Sequence, residues 1–127
     1  FLAAVQRQSN VRVIADGKGV ASYQRYYLAS LDFINKRSPI ANTLFEELKK
    51  TGRWVKQNPR EAAALLAPVW GLDAATVEAA NARRSYDVRL VGGDTLLEQQ
   101  KIADAFHAQG LLPRKVEVAA ALWKPPA

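Results

Sequence analysis

Apolar residues in this chain recur mostly at helical spacing, and prolines and glycines mark where one run stops and the next begins. Ile40, Leu44, Leu48 and Val55 are spaced to share a face, so the pattern predicts an amphipathic helix over Pro39–Gln57. Ser38-Pro39 supplies an N-cap followed by proline at the first helical position. Asn58-Pro59 repeats that signal, and the next helix runs through Ala62–Ala67 to a stop near Gly71. Asp73 caps a third helix over Ala74–Arg84, and Asp94 a fourth over Thr95–Gln109. The fourth carries Leu96, Leu97, Ile102, Ala103 and Phe106 largely on one side, with Gly110 as its stop. Phe1–Gln8 reads as the end of a further helix, with Phe1, Leu2 and Val5 on one face.

Between these runs the pattern changes to short β-branched or aromatic stretches. Val11–Ala15 is a predicted strand ended by Asp16-Gly17, and Tyr23–Ser30 is a second, rich in tyrosine. Tyr86–Val91 is a third, broken by Gly92-Gly93. Leu111–Val118 is an extended tail, followed by a short turn ending at Trp123 before Pro125-Pro126. Helices around a few short strands imply a parallel or mixed sheet, with further strands contributed from elsewhere. The chain opens on Phe-Leu-Ala-Ala-Val without Met, an apolar start of the kind found inside a helix. The expectation is a piece of a longer chain, upstream of which a secretory leader would have been removed.

Composition narrows the chemistry. With 127 residues, 49% hydrophobic and 24% charged, the chain has the make-up of one folded domain and not of a disordered one. No apolar run approaches the roughly 20 residues of a membrane span. Cysteine is absent, which excludes thiol nucleophiles, disulfides and Cys-ligated metals, and a single histidine excludes a multi-His metal site. The net charge of +6 and pI near 9.8 raise the question of nucleic acid. The basic residues, however, lie singly or in pairs among acidic ones, with no continuous stripe, so no nucleic-acid partner is expected.

No catalytic set is visible. His107 and Asp104 stand three apart on one helix, but without a nearby nucleophile they read as a surface histidine beside an acidic neighbour. Glu46 and Glu47 point to different sides of their helix and read as partners of Lys49 and Lys50. Arg83-Arg84 at a helix end is accounted for by the helix dipole. Asp16-Gly17-Lys18-Gly19 is the most suggestive local feature: a glycine loop after a strand lets backbone N–H groups approach an anion, and Lys18 adds charge. It lacks the P-loop pattern, and taken alone it reads first as a plain strand-to-strand connection with a DG turn. Of Tyr23, Tyr26 and Tyr27, alternation puts Tyr23 and Tyr27 on one face and Tyr26 on the other.

The order VRVIADGKGV, YYLASLDF, SPIANTLFEELKKTGRWVKQNPREAAALLAPVWGLD and QQKIADAFHAQGLLPRKVEV closely resembles the C-terminal portion of periplasmic substrate-binding proteins of ABC importers. The nearest group is the aliphatic-sulfonate-binding type, within the wider set that binds taurine, nitrate and thiamine precursors. The resemblance covers essentially the whole chain and rests on order and spacing. It implies an α/β fold, the C-terminal part of a type II periplasmic binding protein, helix-rich with a few short strands. Residues 1–15 would finish the second lobe, 16–30 would cross back at the hinge, and 31–127 would complete the first lobe.

The resemblance also implies what such a protein does. It captures a small organosulfonate or related anion in the periplasm and delivers it to a permease in the inner membrane, without chemistry and without a cofactor or metal. Asp16 and Gly17 match the family's DG and, with Tyr23, are the candidate ligand-binding residues; relatives often carry Asn where Tyr23 stands. Most of the family's anion-holding groups would lie upstream of Phe1. Apolar surface left exposed on such a piece would offer a dimer interface. Two other readings are an enzyme on the same fold, desulfinase-like or thiamine-pyrimidine-synthase-like, and a stand-alone helical interaction module.

Overall fold

In a computed structural model, which describes residues 1–20 and 22–125, six α-helices form among the described residues: α1 (Leu2–Gln8), α2 (Leu31–Lys36), α3 (Ser38–Gln57), α4 (Pro59–Trp70), α5 (Ala74–Ala82) and α6 (Gly93–Ala108). A single 3₁₀ turn follows at Val118–Ala121. The chain divides into two units, Phe1–Val88 and Arg89–Ala127.

Helix ends in the first unit follow local chemistry, with informative departures. The α2 helix was not foreseen, although Ser30 caps it through Oγ, which accepts from the Phe33 N–H at 3.2 Å. Its short length and single capped turn give little periodicity to read. Arg37, not Ser38, is the N-cap of α3. Arg37 closes α2 through its N–H to the Phe33 carbonyl, and its own carbonyl accepts from Ile40 and Ala41, so one residue serves both helices and Ser38 is already helical. Asn58 does the same between α3 and α4. It is the N-cap of α4, where its carbonyl accepts from the Ala62 N–H at 2.9 Å, but its side-chain amide donates back to the Trp54 carbonyl at 3.0 Å and so serves the C-terminus of α3. Gly71, at φ +64°, ends α4 in the left-handed conformation, which costs glycine no Cβ clash. Asp73 caps α5 as expected, and α5 stops at Ala82, two residues before the expected Arg84.

The core of this unit lies where α4 and α5 turn on each other at 115°. Ala63, Ala67 and Val77 close it, with Leu66 half-buried alongside. Complete burial of Val77 contributes about 2 kcal/mol. Among the described residues the buried apolar side chains are five alanines and two valines, so this packing depends on close backbone approach more than on bulk. The same reason reverses the expected face of α1. Packed on α5, it turns Ala3 inward and leaves Phe1, Leu2 and Val5 exposed.

Gly52 marks the closest approach of all. A Cβ there would stand 2.1 Å from the Tyr86 carbonyl oxygen, so only glycine lets the 85–88 segment cross α3. Tyr86 itself sits at φ +55°, the one non-glycine residue with positive φ among those described. Its hydroxyl donates to Asn81 Oδ1 at 2.6 Å, and Lys56 Nζ donates to the neighbouring Arg84 carbonyl at 3.0 Å. These contacts hold a conformation that costs about 1–3 kcal/mol. They also explain why Tyr86 does not begin a strand.

None of the three expected strands pairs with another among the described residues. Val11–Ala15, Tyr23–Ser30 and Tyr86–Val91 lie outside the helices but form no ladder, because a strand is defined by a partner and none is in register with them. Ile14 and Leu28, at 90% and 92% exposure, are apolar residues without cover. Ala21, inside the loop expected over Asp16–Ser22, lies outside the described residues, as does Pro126 at the end of the tail.

In the second unit, α6 starts at Gly93 with extended Gly92 as its cap, which places Asp94 in the first turn and not at the cap. There its carboxylate still favours the positive end of the helix. Gly110 is the stop, with the Leu111 N–H reaching back to the Phe106 carbonyl at 2.9 Å. Of the expected apolar side of α6, Leu96 and Ala103 are half-buried while Leu97, Ile102 and Phe106 are exposed. Gln100 fastens the tail. Its Nε2 donates to the Val116 carbonyl and to Asp104 Oδ1, and its Oε1 accepts from the Val118 N–H, each at 2.9 Å.

No single helix among the described residues is long and apolar enough to cross a membrane. The sharply bent α4–α5 pair meets the length and composition only jointly, and it supplies the buried core.

Candidate functional site

The glycine loop is a self-contained turn. Asp16 Oδ1 accepts the Lys18 N–H at 3.0 Å, and the Gly17 carbonyl accepts the Val20 N–H at 3.0 Å, with Gly19 at φ +76° between them. Two of the backbone donors that would face an anion are therefore occupied, one of them by a carboxylate of the loop itself. Gly17 has open space around it, with no atom within 4 Å of where a Cβ would stand. The turn reading of this loop accounts for its geometry.

Tyr23 is better placed to meet a ligand. It is 76% exposed, and its hydroxyl accepts from Arg25 Nη2 at 2.6 Å. The Arg25 guanidinium carbon also lies 5.2 Å from the centre of the Tyr23 ring. An extended backbone returns side chains to the same side every second residue, which is why Tyr23 and Arg25 meet. The hydrogen bond from Arg25 and its charge hold the Tyr23 hydroxyl below the ordinary tyrosine value, with a smaller contribution from Arg84. Tyr26 is turned to a different partner, donating to Gln24 Oε1 at 3.2 Å. No hydrogen bond, ion pair or ring contact joins Asp16 or Gly17 to Tyr23 among the described residues.

Arg84 carries more than the helix dipole explains. Its guanidinium lies 5.5 Å from the centre of the Trp70 ring, so residues at the ends of α5 and α4 meet. Arg83 turns to α1 instead and donates to Gln6 Oε1. Arg25 was not singled out from the sequence, although the same alternation that was applied to Tyr23, Tyr26 and Tyr27 could have pointed to it. The Arg84–Trp70 contact was not foreseen either, because the fold makes it between the ends of two helices.

The remaining candidates resolve into ordinary surface chemistry. Glu46 and Glu47 pair with Lys49 and Lys50 at 2.9 and 2.6 Å, as expected of solvated helix neighbours. His107 is half-buried rather than a free surface residue, and its Nδ1 is enclosed without a hydrogen-bond partner. Asp104 takes its bond from Gln100, so no Asp–His pair forms; with Ala108 and Lys115 the two line a shallow, open concavity. Among the described residues no group of three or more acidic or histidine side chains is arranged to hold a metal.

No protein-family model matches the chain. A curated aliphatic sulfonates-binding protein of Escherichia coli strain K12 is 25% identical to it over 126 residues, 98% of this chain and 40% of that protein. The crystal structure of the periplasmic aliphatic sulphonate binding protein SsuA from Escherichia coli superposes on it with a TM-score of 0.88 at 25% identity, over 98% of this chain and 41% of that one. The chain spans about two fifths of the length of these relatives, and its helix-rich fold is that of the matching part of a periplasmic binding protein.

Proposed function

We propose that this chain, which resembles part of a periplasmic aliphatic sulfonate-binding protein along nearly its whole length, is the equivalent part of a solute-binding component of an ABC importer. Its ligand is a small organosulfonate or a closely related anion, and its partner is a permease in the inner membrane. The observation that carries this reading is the agreement of fold with the sulphonate-binding structure over 98% of the chain. A binding role asks for donors and positive charge, not for a nucleophile or a general base. The first unit provides the charge: it holds thirteen basic and eight acidic side chains, five of the six surplus positive charges.

The extended, uncovered segments fit the same proposal. Unpaired β-branched backbone at Val11–Ala15 and aromatic-rich backbone at Tyr23–Ser30 are what sheet strands look like when their partner strands belong to another part of the protein. In this reading residues 1–15 finish one lobe, 16–30 cross between lobes, and 31–127 complete the other. Ligand contact then falls at the crossing, with Tyr23 presenting a hydroxyl and Asp16 and Gly17 shaping the turn beside it.

The test is a thermal-shift screen of the full-length protein against alkanesulfonates, taurine, nitrate and thiamine precursors. A sulfonate at a hundred times its Kd should stabilise the fold by about 2.7 kcal/mol. Stabilisation by none of the sulfonates would overturn the assignment.

A further inference from the structure

Arg25 touches Tyr23 in two ways at once. Its Nη2 donates to the Tyr23 hydroxyl at 2.6 Å, and its guanidinium carbon lies 5.2 Å from the centre of the same ring. Both groups are exposed, and among the described residues no carboxylate pairs with Arg25. Asp16 and Asp32, its nearest acidic residues in sequence, are engaged with the Lys18 N–H and with the Lys36 ammonium. The Tyr23 hydroxyl therefore carries a positive charge against it that nothing in its surroundings neutralises.

The consequence lies in where the hydroxyl proton points. A guanidinium has donors and no acceptor, so the Tyr23 oxygen must accept from Arg25 and its own O–H is turned away toward solvent. The adjacent charge also strengthens that O–H as a donor, and the same influence draws the ionisation of Tyr23 below the ordinary tyrosine value. Tyr26, three residues on, shows the opposite arrangement. It donates its proton to Gln24 Oε1 at 3.2 Å and so spends it within the chain. Of these two hydroxyls, Tyr23 is the one held ready to donate outward, beside a charge that favours an anion.

We infer that Arg25 is a positioning residue of the ligand site, holding the Tyr23 O–H outward as a donor to the anionic head group of an organosulfonate. This rests on the proposed solute-binding function, with Tyr23 at the ligand, and adds to it a residue that the resemblance did not single out.

The experiment is calorimetric titration of the full-length protein with ethanesulfonate. The parent is compared with Arg25→Gln, Arg25→Lys, Tyr23→Phe and the double variant Tyr23→Phe/Arg25→Gln. Tyrosine ionisation in the free proteins is followed by ultraviolet absorbance, with Tyr23→Phe identifying the contribution of Tyr23. Arg25→Gln should weaken ethanesulfonate binding by about tenfold, as expected for a charge-assisted hydrogen bond, and Arg25→Lys should recover part of the loss. In the Tyr23→Phe background the same Arg25→Gln change should cost about threefold or less, because Arg25 acts through the hydroxyl. Tyr23 should ionise below about pH 10 in the parent and at higher pH in Arg25→Gln. Melting temperatures of the free variants should stay close to the parent's, which separates this role from a structural one. If the parent binds ethanesulfonate and Arg25→Gln binds it with the parent's Kd, the positioning role is refuted while the solute-binding function stands. Losses that simply add in the double variant, or a Tyr23 ionisation unmoved by Arg25→Gln, refute it equally. If the parent binds no sulfonate, the solute-binding function fails and the role of Arg25 fails with it.

Discussion

Replacing Gly52 by alanine should destabilise the protein, although the same change in the interior of an exposed helix stabilises it. Alanine is favoured over glycine there by about 1 kcal/mol. At Gly52 the added Cβ would meet the Tyr86 carbonyl oxygen at 2.1 Å, the Tyr86 carbonyl carbon at 3.3 Å and Val88 Cγ2 at 3.7 Å. A carbon–oxygen contact settles near about 3.3 Å, so the first of these overlaps by more than about 1 Å. The offending atom is backbone and cannot rotate away. Relief requires Tyr86 to retreat from α3, and Tyr86 is held by its 2.6 Å bond to Asn81 and by the 3.0 Å bond from Lys56 to the Arg84 carbonyl. Asn81 is buried and its Nδ2 already lacks a partner, so losing the Tyr86 bond leaves the whole amide unpaired. Overpacking costs about 1–3 kcal/mol and the lost hydrogen bond about 1 kcal/mol more. Set against the helix gain, the net expectation is a loss of about 1–3 kcal/mol, read from urea unfolding midpoints at constant slope. Gly17→Ala, where no atom lies within 4 Å of the new Cβ, is the control and should change stability little. A Gly52→Ala protein as stable as its parent, or more so, would refute the argument that Tyr86 presses on α3.

Two further outcomes follow from single side chains. Gln100→Leu removes three hydrogen bonds and frees the tail from α6, so amides at Val118 and its neighbours should exchange faster and stability should fall by about 1–3 kcal/mol; unchanged exchange would show that the tail is held otherwise. The Asp73 carboxylate accepts from the Thr76 hydroxyl and N–H, with Arg7 nearby, and these hold its pKa below the usual 3.8. A lowered folded-state value means that its stabilising contribution is present above the ordinary carboxylate pKa and is lost as pH falls through the folded one. The melting-temperature difference between the parent and Asp73→Asn should therefore shrink on acidification below about pH 4; a difference that stays constant with pH would contradict it.

Much of the helical frame was legible because its signals are local. Pro39, Pro59, Asp73 and Gly110 act on their own turn of chain, and α3 to α6 lie within a few residues of where these residues put them. The shifts of one residue at Arg37 and of two at Gly93 arise where one residue must serve two neighbouring segments or where glycine enters the helix early. The short α2 escaped notice because six residues carry less than two turns of pattern. At the candidate site, Tyr23 was singled out but its partner Arg25 was not, though alternation on an extended segment could have found it, and Arg84 looked like a helix-end charge.

What the sequence determined by itself, then, is the helical content, most helix boundaries, the lack of thiol chemistry and, through the order of its segments, the resemblance to a sulfonate-binding protein. Only the tertiary structure decided which apolar residues are buried. The close α4–α5 crossing admits alanine and Val77 and leaves Ile14, Leu28 and the tyrosines uncovered. It also decided that three extended segments form no ladder among the described residues, that Tyr86 takes a positive φ beside Gly52, and that Arg84 meets the ring of Trp70. Each of these depends on residues far apart in the chain. Periodicity and capping report only on neighbours, so no reading of local pattern reaches them.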